Sequence, residues 1–468
     1  MPAAHSDSDR LAMLEKLGLA SVEQLFAGLP EGVRLRRPLA VPGPLSETEL
    51  KKHFLAAAKA NANLEDWVCF LGAGVYDHYI PAVVSHIIQR SEFYTSYTPY
   101  QAEISQGLLQ SIYEYQTMIC RLTGMEVSNA SLYDGATALA ESVFTAFSIR
   151  KQVGPVAVSA AVSPFYRRVL GSSLGGKGCG FQDLPYDRQT GQTVLPGAAG
   201  GSSQGSSPSK AGGAMPLAVV VQHPNFFGCL EDLAAQRRYC DSVGALMITC
   251  VDPLALGVLR PPGDYGADIV VAEGQGLGCA MNFGGPLLGV MAARREHIRH
   301  LPGRLAGMTV DRDGERAFSL TLQTREQHIK RERATSNICT NQALCALAAC
   351  VYLATLGEVG LRRVAEACVQ KSHYAWERLS KIEGFRPCFP EAHFFKEFAF
   401  SGPVPSRTVQ ERLAQKHIVS GLPLGPYYPE MRDAILWCVT EKGTREEIDR
   451  LVRELAEICK DEGAPCAT

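Results

Sequence analysis

No lysine occurs between residues 211 and 329, although lysines lie on both sides of this gap, at Lys210 and Lys330. Four segments with the apolar composition of strands fall inside the gap, at residues 217–221, 245–251, 268–273 and 285–293. Asp252 ends the second segment, and the third leads into the loop 274–276. Ligands and catalytic groups collect at the carboxyl ends of strands in an α/β sheet, so this region predicts a site without a lysine of its own.

Other absences exclude whole classes of protein. The net charge is −2, so no basic field points to nucleic acid or to a membrane surface. No uninterrupted apolar stretch approaches about 18 residues and the N-terminus carries no targeting signal, which predicts a cytoplasmic protein without a membrane span. The fifteen cysteines include no C-x-x-C pair and favour reduced, buried thiols over disulfides or a metal site.

The length of the chain is sufficient for several domains. With 468 residues, of which 46% are apolar, it can form two or three. The sequence predicts an N-terminal helical arm over residues 1–60, a large α/β/α domain over 61–335 and a small C-terminal α/β domain over 336–468. Within the arm, Ser21 with Gln24 and Ser46 with Glu49 have the spacing of helix capping boxes. Inside the large domain, residues 187–213 contain a Gly/Ser-rich run and predict a flexible surface insertion.

Alternating helix and strand patterns indicate the fold class. Helices are predicted at 101–123, 135–150, 231–243, 341–357 and 361–383. Besides the four segments inside the lysine gap, strands are predicted at 394–401 and 434–441. Strand–helix–strand repeats with short connections predict an α/β fold with a mostly parallel sheet, covered by helices on both faces.

Generic ligand-binding motifs are weak in this sequence. Three glycines at 274, 276 and 278 follow a strand, but their spacing departs from a dinucleotide-binding loop and no helix pattern follows them. His297 and His300 are one helical turn apart in charged surroundings, which favours a solvated surface over a metal pair, and we expect no metal site. The basic run 328–333 is either a solvated surface or a docking site for an acidic partner.

An aromatic segment, residues 91–106, is unusual in composition. Its sequence SEFYTSYTPYQAEISQ places tyrosines and a phenylalanine among hydroxyl-bearing and amide side chains. One interpretation is an aromatic loop packed under the sheet, because a buried tyrosine needs only a single hydrogen-bond partner. The other is a wall of hydroxyl donors facing a small polar ligand, and composition does not decide between them.

Six segments carry a resemblance to a known family. They are FLGAGVYDHYIPAVV (70–84), FYTSYTPYQAEISQGLLQ (93–110), LYDGATALAES (132–142), GADIVVAEGQGLGCAMNFGGPLLG (266–289), RATSNICTNQAL (333–344) and CVTEKGTREEID (438–449). In this order they closely resemble the glycine cleavage P protein, glycine decarboxylase. The similarity is closest to its N-terminal half, which many bacteria make as a separate subunit 1. It covers nearly the whole chain from about residue 10, except 187–213.

The resemblance implies a pyridoxal-phosphate-dependent transferase fold of type I, with a seven-stranded large domain and a smaller C-terminal α/β domain. In such enzymes a strand-end aspartate pairs with the pyridine nitrogen, and a lysine on a later loop forms a Schiff base with the cofactor. Asp252 matches the aspartate. We place the lost lysine at Gly276, with Gln275 as the neighbour that faces the ring.

The phosphate site implied by the resemblance is also altered. A helix that begins at Gly135 is expected to receive the phosphate on its free N–H groups. Asp134 stands beside it and is more simply a helix N-cap that occupies those donors. Asp134, Gly135, Asp252, Gln275 and Gly276 therefore predict a degenerate cofactor site, and we assign no catalytic residue to this chain.

The resemblance implies that pyridoxal phosphate is held by a partner, subunit 2, and is not covalently bound to this chain. The two subunits, as a heterotetramer of two of each, are expected to decarboxylate glycine and to transfer the aminomethyl group to the lipoyl arm of the H protein. We hypothesise that Tyr97, Thr98, Tyr100 and Gln101 line the partner's active site. Asn337 is a further candidate.

Two alternatives remain open at this point. The chain is an independent pyridoxal-phosphate enzyme if a lysine outside the gap, such as Lys210 or Lys330, serves the site. Both lie in low-complexity or charged surroundings rather than at a buried strand end. Otherwise the chain is a non-catalytic scaffold or regulatory paralogue that binds a partner without completing its site.

Overall fold

The computed structural model describes residues 5–197, 215–282 and 284–463. Its centre is a seven-stranded sheet, and we number these strands in chain order. They are β1 (Val127–Ser128), β2 (Val156–Ser159), β3 (Phe181–Leu184), β4 (Ala218–His223), β5 (Leu246–Val251), β6 (Ile269–Glu273) and β7 (Gly289–Ala293).

The strand order across this sheet is β1-β7-β6-β5-β4-β2-β3. The five strands from β6 to β3 pair in parallel, and β7 runs antiparallel to both of its neighbours. Every residue of β2, β5 and β7 is buried, because helices cover both faces of the sheet. The predicted mostly parallel sheet is confirmed. Its parallel strands bring Asp252 and Glu273 to one edge.

Twelve α-helices are assigned within the described residues. They are Asp7–Leu17, Glu47–Lys59, Ala82–Ile88, Ser91–Tyr94, Gln106–Thr123, Gly135–Arg150, Pro164–Gly175, Leu233–Val243, Gln327–Lys330, Ala343–Leu379, Ser406–Gln415 and Arg445–Asp461. The two faces of the sheet meet different helices. Val271 and Met291 pack with helix Gly135–Arg150, whereas Val270 and Val290 pack with Gln106–Thr123.

Several predicted boundaries hold for local chemical reasons. Helix Gln106–Thr123 ends at Gly124, whose φ of 69° is the left-handed conformation that glycine adopts without strain. The helix begins at residue 106 rather than 101, because residues 102–104 form a 3-10 turn. Helix Ala343–Leu379 bends at Gly357, where φ is 58° and ψ is −173°, and this kink separates the two helices predicted there.

The long helix Ala343–Leu379 differs from the expectation that no segment resembles a membrane span. Within the described residues it is the one helix long and apolar enough to cross a membrane, by length and composition alone. Cys345, Ala349 and Tyr352 are buried against Val270 and Val290 of the sheet. Its apolar face is therefore explained by the core of this protein.

The C-terminal part forms a second, smaller sheet. Its four strands occur in the order Arg386–Pro387, Glu397–Ser401, Ala434–Cys438 and Leu422–Pro423, all antiparallel to their neighbours. Trp437 is buried in its core with Phe398 and Leu455. A hairpin pairs Leu305–Val310 with Arg316–Thr321, and Val68–Cys69 pairs in parallel with Ile418–Val419.

Residues 1–63 form a unit of their own, separate from 64–468 by internal contacts. Ser46 and Glu49 form the predicted capping box at the start of a helix. Ser21 makes no side-chain cap and begins a 3-10 turn instead. The predicted box at Ser21 fails because Gln24 accepts a hydrogen bond from the backbone of Ala20.

The predicted insertion over 187–213 is too long at its N-terminal side. Asp187 closes a turn through the backbone N–H groups of Gln189 and Thr190, and Leu195 is buried in a core cluster. Residues 187–197 are therefore packed. The remaining part, 198–213, lies outside the described residues. Its glycine- and serine-rich sequence is where the prediction of a surface insertion still applies.

Candidate functional site

A narrow pocket lies where β4, β5 and β6 end. Its lining includes Asp252, Glu273, Tyr76, Tyr166 and Lys396. These side chains come from the strand ends of the sheet, from the segment before helix Ala82–Ile88, from helix Pro164–Gly175 and from the small domain. The space left between them is a cavity of about 30 Å³, which has room for one or two water molecules.

Lys396 fills the centre of this pocket, although it was not among the residues predicted from the sequence. Its ammonium lies 2.6 Å from Oδ2 of Asp252 and donates to Nε2 of His78 at 2.9 Å. The same nitrogen stands 3.4 Å from the centre of the Tyr76 ring, a cation–π contact. The residue is 2% exposed, and it is the only buried lysine among the described residues.

The charges around Lys396 determine its protonation. Burial lowers its pKa, but the neighbouring groups, with the carboxylate of Asp252 first among them, together outweigh that effect and hold the pKa above the ordinary value. Burial and the ammonium together lower the pKa of His78, so His78 is neutral at pH 7. Its Nε2 therefore accepts from Lys396, while Nδ1 donates to Glu441 at 2.6 Å.

Two further carboxylates belong to this network. Burial raises the pKa of Glu397 to about 7, although its oxygens accept from the backbone of Ala73 at 2.6 Å and from the Tyr76 hydroxyl at 2.8 Å. Burial also raises the pKa of Glu441, but hydrogen bonds from His78 and from the backbone of Tyr79 outweigh it and lower the value to about 2. The pocket is therefore a dense internal charge network.

The loop predicted to have lost a lysine is packed tightly. The Gln275 side chain accepts from the backbone N–H of Tyr76 at 2.9 Å and donates to the carbonyls of Tyr76 and Cys279. Gln275 thus fixes the segment around Tyr76. A Cβ placed on Gly276 meets the His78 ring at 3.1 Å and the Leu254 side chain at 3.4 Å. A longer side chain at Gly276 has no free path into the pocket.

The helix that begins at Gly135 has two of its first backbone donors occupied. Asp134 is its N-cap and accepts from the backbone of Thr137 at 2.8 Å, as the sequence predicts. Glu273 accepts from the backbone of Gly135 at 2.9 Å, and its other oxygen accepts from Gln275 and Leu288. Burial raises the pKa of Glu273 to about 7 against these bonds. The carboxylate lies where the resemblance places a phosphate.

Pyridoxal phosphate therefore does not fit this pocket. A cavity of about 30 Å³ is far smaller than a substituted pyridine ring with its phosphate. Asp252 already has a cationic partner, and Glu273 bonds to the helix N-terminus. Of the five residues of the predicted degenerate site, Asp252 alone lines the pocket. Gly135 and Gln275 donate to Glu273, and Gly276 lies against the His78 ring.

The aromatic segment 91–106 lies at a different place and is open. Tyr97 is 79% exposed, and Tyr97 and Thr98 line a groove of about 210 Å³ together with Arg304 and Asn341. Tyr100 does not line the groove itself, and its ring centre lies 5.8 Å from the guanidinium of Arg304, which does. These tyrosines face outward, so the interpretation of a loop buried under the sheet does not hold for them.

The remaining predicted residues of this group are placed less centrally. Gln101 and Asn337 are exposed and do not line the groove, whereas Asn341 does and donates to Ser131 at 3.0 Å. Arg304 is buried, donates to the Cys339 carbonyl and lies 3.9 Å from Glu326. Neither Arg304 nor Asn341 was singled out from the sequence, because isolated arginines and asparagines carry no periodic signal.

Lys396 had a weak sequence signal. It interrupts the apolar strand FFKEFAFS, and a lysine inside such a strand is rarely buried without a charged partner. Of the two lysines considered instead, Lys330 is exposed and Lys210 lies outside the described residues. His297 is buried rather than solvated, and His300 hydrogen-bonds Ser148. Their surroundings were therefore predicted wrongly.

The fold and the pocket together define a class. A seven-stranded sheet with one antiparallel strand, a strand-end aspartate and a small C-terminal α/β domain are features of the type I fold of pyridoxal-phosphate enzymes. A sphingosine-1-phosphate lyase of Burkholderia pseudomallei has the same fold, with a TM-score of 0.62 at 15% identity over 93% of this chain and 94% of its own. The predicted fold class is confirmed.

Similarity in sequence is more specific than similarity in fold. The model of the glycine cleavage system P-protein family matches residues 3–455, and the chain belongs to that family. A crystal structure of glycine decarboxylase (P-protein) of the glycine cleavage system, in inhibitor-bound form, superposes with a TM-score of 0.87. It is 42% identical in sequence, and the match covers 98% of this chain and 100% of the chain in that structure.

Two curated relatives show which part of the family the chain resembles. A probable glycine dehydrogenase (decarboxylating) subunit 1 of Desulforamulus reducens is 48% identical over 97% of this chain and 99% of its own length. The protein of the same name from Carboxydothermus hydrogenoformans is 49% identical over 96% and 98%. The resemblance to subunit 1 is confirmed along nearly the whole chain.

Proposed function

We propose that this chain is subunit 1 of a two-subunit glycine decarboxylase and that its partner, subunit 2, holds the pyridoxal phosphate. One observation carries the proposal: a single chain combines a filled cofactor pocket with an open groove lined by tyrosines. In enzymes of this class the bound cofactor accepts the electrons released when CO2 leaves. A chain whose own pocket is filled contributes by completing a site elsewhere.

The groove is suited to that role. Tyr97 and Tyr100 present hydroxyl groups outside the fold, and exposed aromatic side chains are enriched where proteins bind partners. Ile104, next to them, is 78% exposed, which adds apolar surface of the kind that association buries. We infer that this surface contacts subunit 2 and that the tyrosine hydroxyls bind glycine or line the path of the lipoyl arm.

The wider assembly follows from the same family membership. We propose a heterotetramer of two copies of each subunit, which acts on glycine and on the lipoylated H protein. We also propose that it works in the cytoplasm, where thiols stay reduced. This location agrees with the free state of all fourteen cysteines among the described residues.

The tyrosine hydroxyls provide the direct test. We expect Tyr97→Phe combined with Tyr100→Phe to lower glycine–bicarbonate exchange at least about tenfold in the complex reconstituted with subunit 2. Loss of hydroxyl donors that bind a substrate typically costs this much. Size-exclusion chromatography establishes that the variant still assembles. Unchanged exchange by the assembled variant contradicts the proposed role of the groove.

The control removes a hydroxyl of the same kind elsewhere. Tyr265→Phe alters a tyrosine that precedes β6, at the end of this strand opposite to Glu273. The ring of Tyr265 lies under the Arg260 guanidinium. We expect full exchange activity from it. If all variants assemble and keep full activity, the alternative of a non-catalytic scaffold or regulatory paralogue is favoured. The isolated chain is also mixed with pyridoxal phosphate. Absorbance of an imine, together with trapping of that imine by borohydride, indicates an independent enzyme.

A further inference from the structure

A pyridoxal phosphate bound in the type I fold, together with its lysine, presents three polar groups: a pyridine nitrogen, a phosphate and a Schiff-base nitrogen. We propose that Lys396, Glu273 and His78 are internal replacements for the pyridine nitrogen, the phosphate and the Schiff-base lysine. The pocket is then a permanent structural element that binds no cofactor and holds the domains of the chain together. This inference concerns the chain's own pocket and stands apart from the proposed partner.

The ammonium of Lys396 replaces a protonated ring nitrogen. Both are cationic N–H donors, and both are stabilised by a carboxylate at the end of the same strand. Asp252 offers Oδ2 to Lys396 at 2.6 Å, while its Oδ1 accepts from the backbone of Leu254. The three protons of the ammonium have one partner each: Asp252, His78 and the face of Tyr76.

The carboxylate of Glu273 replaces the phosphate. It accepts from the backbone N–H of Gly135 at 2.9 Å, at the positive end of a helix of 16 residues. Its second oxygen bonds two more backbone N–H groups, of Gln275 and Leu288. Tyr166 closes the remaining space, because a Cβ on Gly135 stands only 2.3 Å from the Tyr166 hydroxyl.

The ring of His78 replaces the lysine side chain. It stands directly over Gly276, where a Cβ is 3.1 Å from the ring. Glu441 orients the ring by accepting from Nδ1, so that Nε2 faces Lys396. Removal of a lysine here leaves a void unless another side chain fills it, and the histidine also supplies an acceptor for the ammonium.

The closed pocket joins distant parts of the chain. Lys396 and Glu397 come from the small domain, and Asp252 and Glu273 come from the large sheet. His78 comes from the segment before helix Ala82–Ile88. In a cofactor-dependent chain the ligand supplies such cross-links and stabilises the folded state by its binding. Here the side chains supply them, so the chain reaches its final packing without a ligand.

A double-mutant cycle on the full-length chain tests the first replacement. We expect Lys396→Met or Asp252→Asn alone to lower the apparent midpoint of thermal unfolding by about 5 °C, since each leaves one buried polar group without its partner. The double variant should recover most of that loss. The coupling between the two changes should be on the order of a hundredfold in the unfolding equilibrium constant.

An exposed lysine–aspartate pair in the same chain is the matched control. Lys442 lies 2.7 Å from Asp77, with its side chain 38% exposed. We expect Lys442→Met and Asp77→Asn to couple less than about fivefold. Coupling no larger at Lys396 than at this pair overturns the proposal. Aggregation of a single variant while the double variant folds supports it.

The second experiment measures ligand binding. Pyridoxamine 5′-phosphate carries the ring nitrogen and the phosphate but no aldehyde, so it does not react with other lysines. Its effect on the thermal midpoint is compared between the wild-type chain and the variant Lys396→Ala with Glu273→Ala, in which two replacements are removed. We expect a rise of several degrees in the variant alone. A response of the wild-type chain, or none in the variant, overturns the proposal.

Discussion

Tyrosines occur in both the filled pocket and the tyrosine groove, but their side chains have partners in the pocket and are exposed in the groove. In the pocket, Tyr76 places its ring against an ammonium and gives its hydroxyl to Glu397. In the groove, Tyr97 is 79% exposed, and none of the described residues forms a hydrogen bond with its hydroxyl. Satisfied polar groups in a closed space stabilise a fold, whereas exposed ones are available to a second molecule.

This difference separates stability from activity within one chain. Substitutions in the pocket remove partners from buried charges, so they should alter unfolding. Substitutions of hydroxyls in the groove leave the folded chain intact, so they should alter assembly or turnover. The comparison fails if changes in the two regions have the same consequences.

The largest expected effect is at Asp252. We expect Asp252→Ala to lower the free energy of unfolding by about 3–5 kcal/mol, because it leaves the buried ammonium of Lys396 without its carboxylate. Urea denaturation followed by circular dichroism measures this change. Asp77→Ala, which frees the half-exposed Lys442, should cost less than about 1 kcal/mol. Equal losses indicate that the pocket is not closed by its charge pair.

The next largest effect is expected in the dependence of stability on pH. Glu397 has a pKa raised to about 7 by burial, so the folded state holds its proton from about pH 4.5 to 7 while the unfolded state has lost it. Stability therefore falls as the pH rises through this window. We expect Glu397→Gln, which cannot ionise, to gain on the order of 2 kcal/mol relative to wild type between pH 5 and pH 8.

Glu441 should give stability the opposite dependence on pH. Its pKa is lowered to about 2, so its contribution to stability is present above about pH 4.5 and is lost as the pH falls towards 2. Glu441→Gln should therefore remove stability at neutral pH and less of it in acid. Parallel pH profiles for the two variants, measured by urea unfolding, contradict the assignment of these charges.

The smallest effect is expected when one tyrosine in each region is replaced by phenylalanine. We expect Tyr76→Phe to lower the free energy of unfolding by about 1–2 kcal/mol, since the buried carboxylate of Glu397 loses a donor. Tyr97→Phe should change it by less than about 0.5 kcal/mol. Chemical denaturation of the two variants side by side measures the difference. Comparable losses at both positions remove the distinction between a closed pocket and an open groove.

Local patterns predicted the elements of the large domain well. Strands β4 to β6, the helix from Gly135 to Arg150 and its cap at Asp134 are confirmed within a few residues. Strand composition and capping chemistry depend on near neighbours, so they are visible in the sequence. The strand predicted from residue 285 begins only at Gly289, because the residues before it form the turn that reverses the chain direction.

Contacts over long separations were not predictable in the same way. The gap without lysines indicated a pocket that lacks a Schiff-base residue, and the structure places Gly276 there. That Lys396 enters the same pocket depends on how the small domain meets the sheet. Asn337 was predicted as a candidate, whereas Asn341, four residues later, lines the groove, and only the folded chain shows this difference.

The sequence by itself determined the family, the parallel sheet and the absence of a lysine at the end of β6. These features depend on composition, on periodicity and on segments that are similar along nearly the whole chain. Tertiary structure alone decided that the pocket is filled and that the tyrosines are open. His78 and Lys396 are 318 residues apart in sequence, yet a hydrogen bond joins them. Such a contact arises from the packing of separate elements, and no local pattern records it.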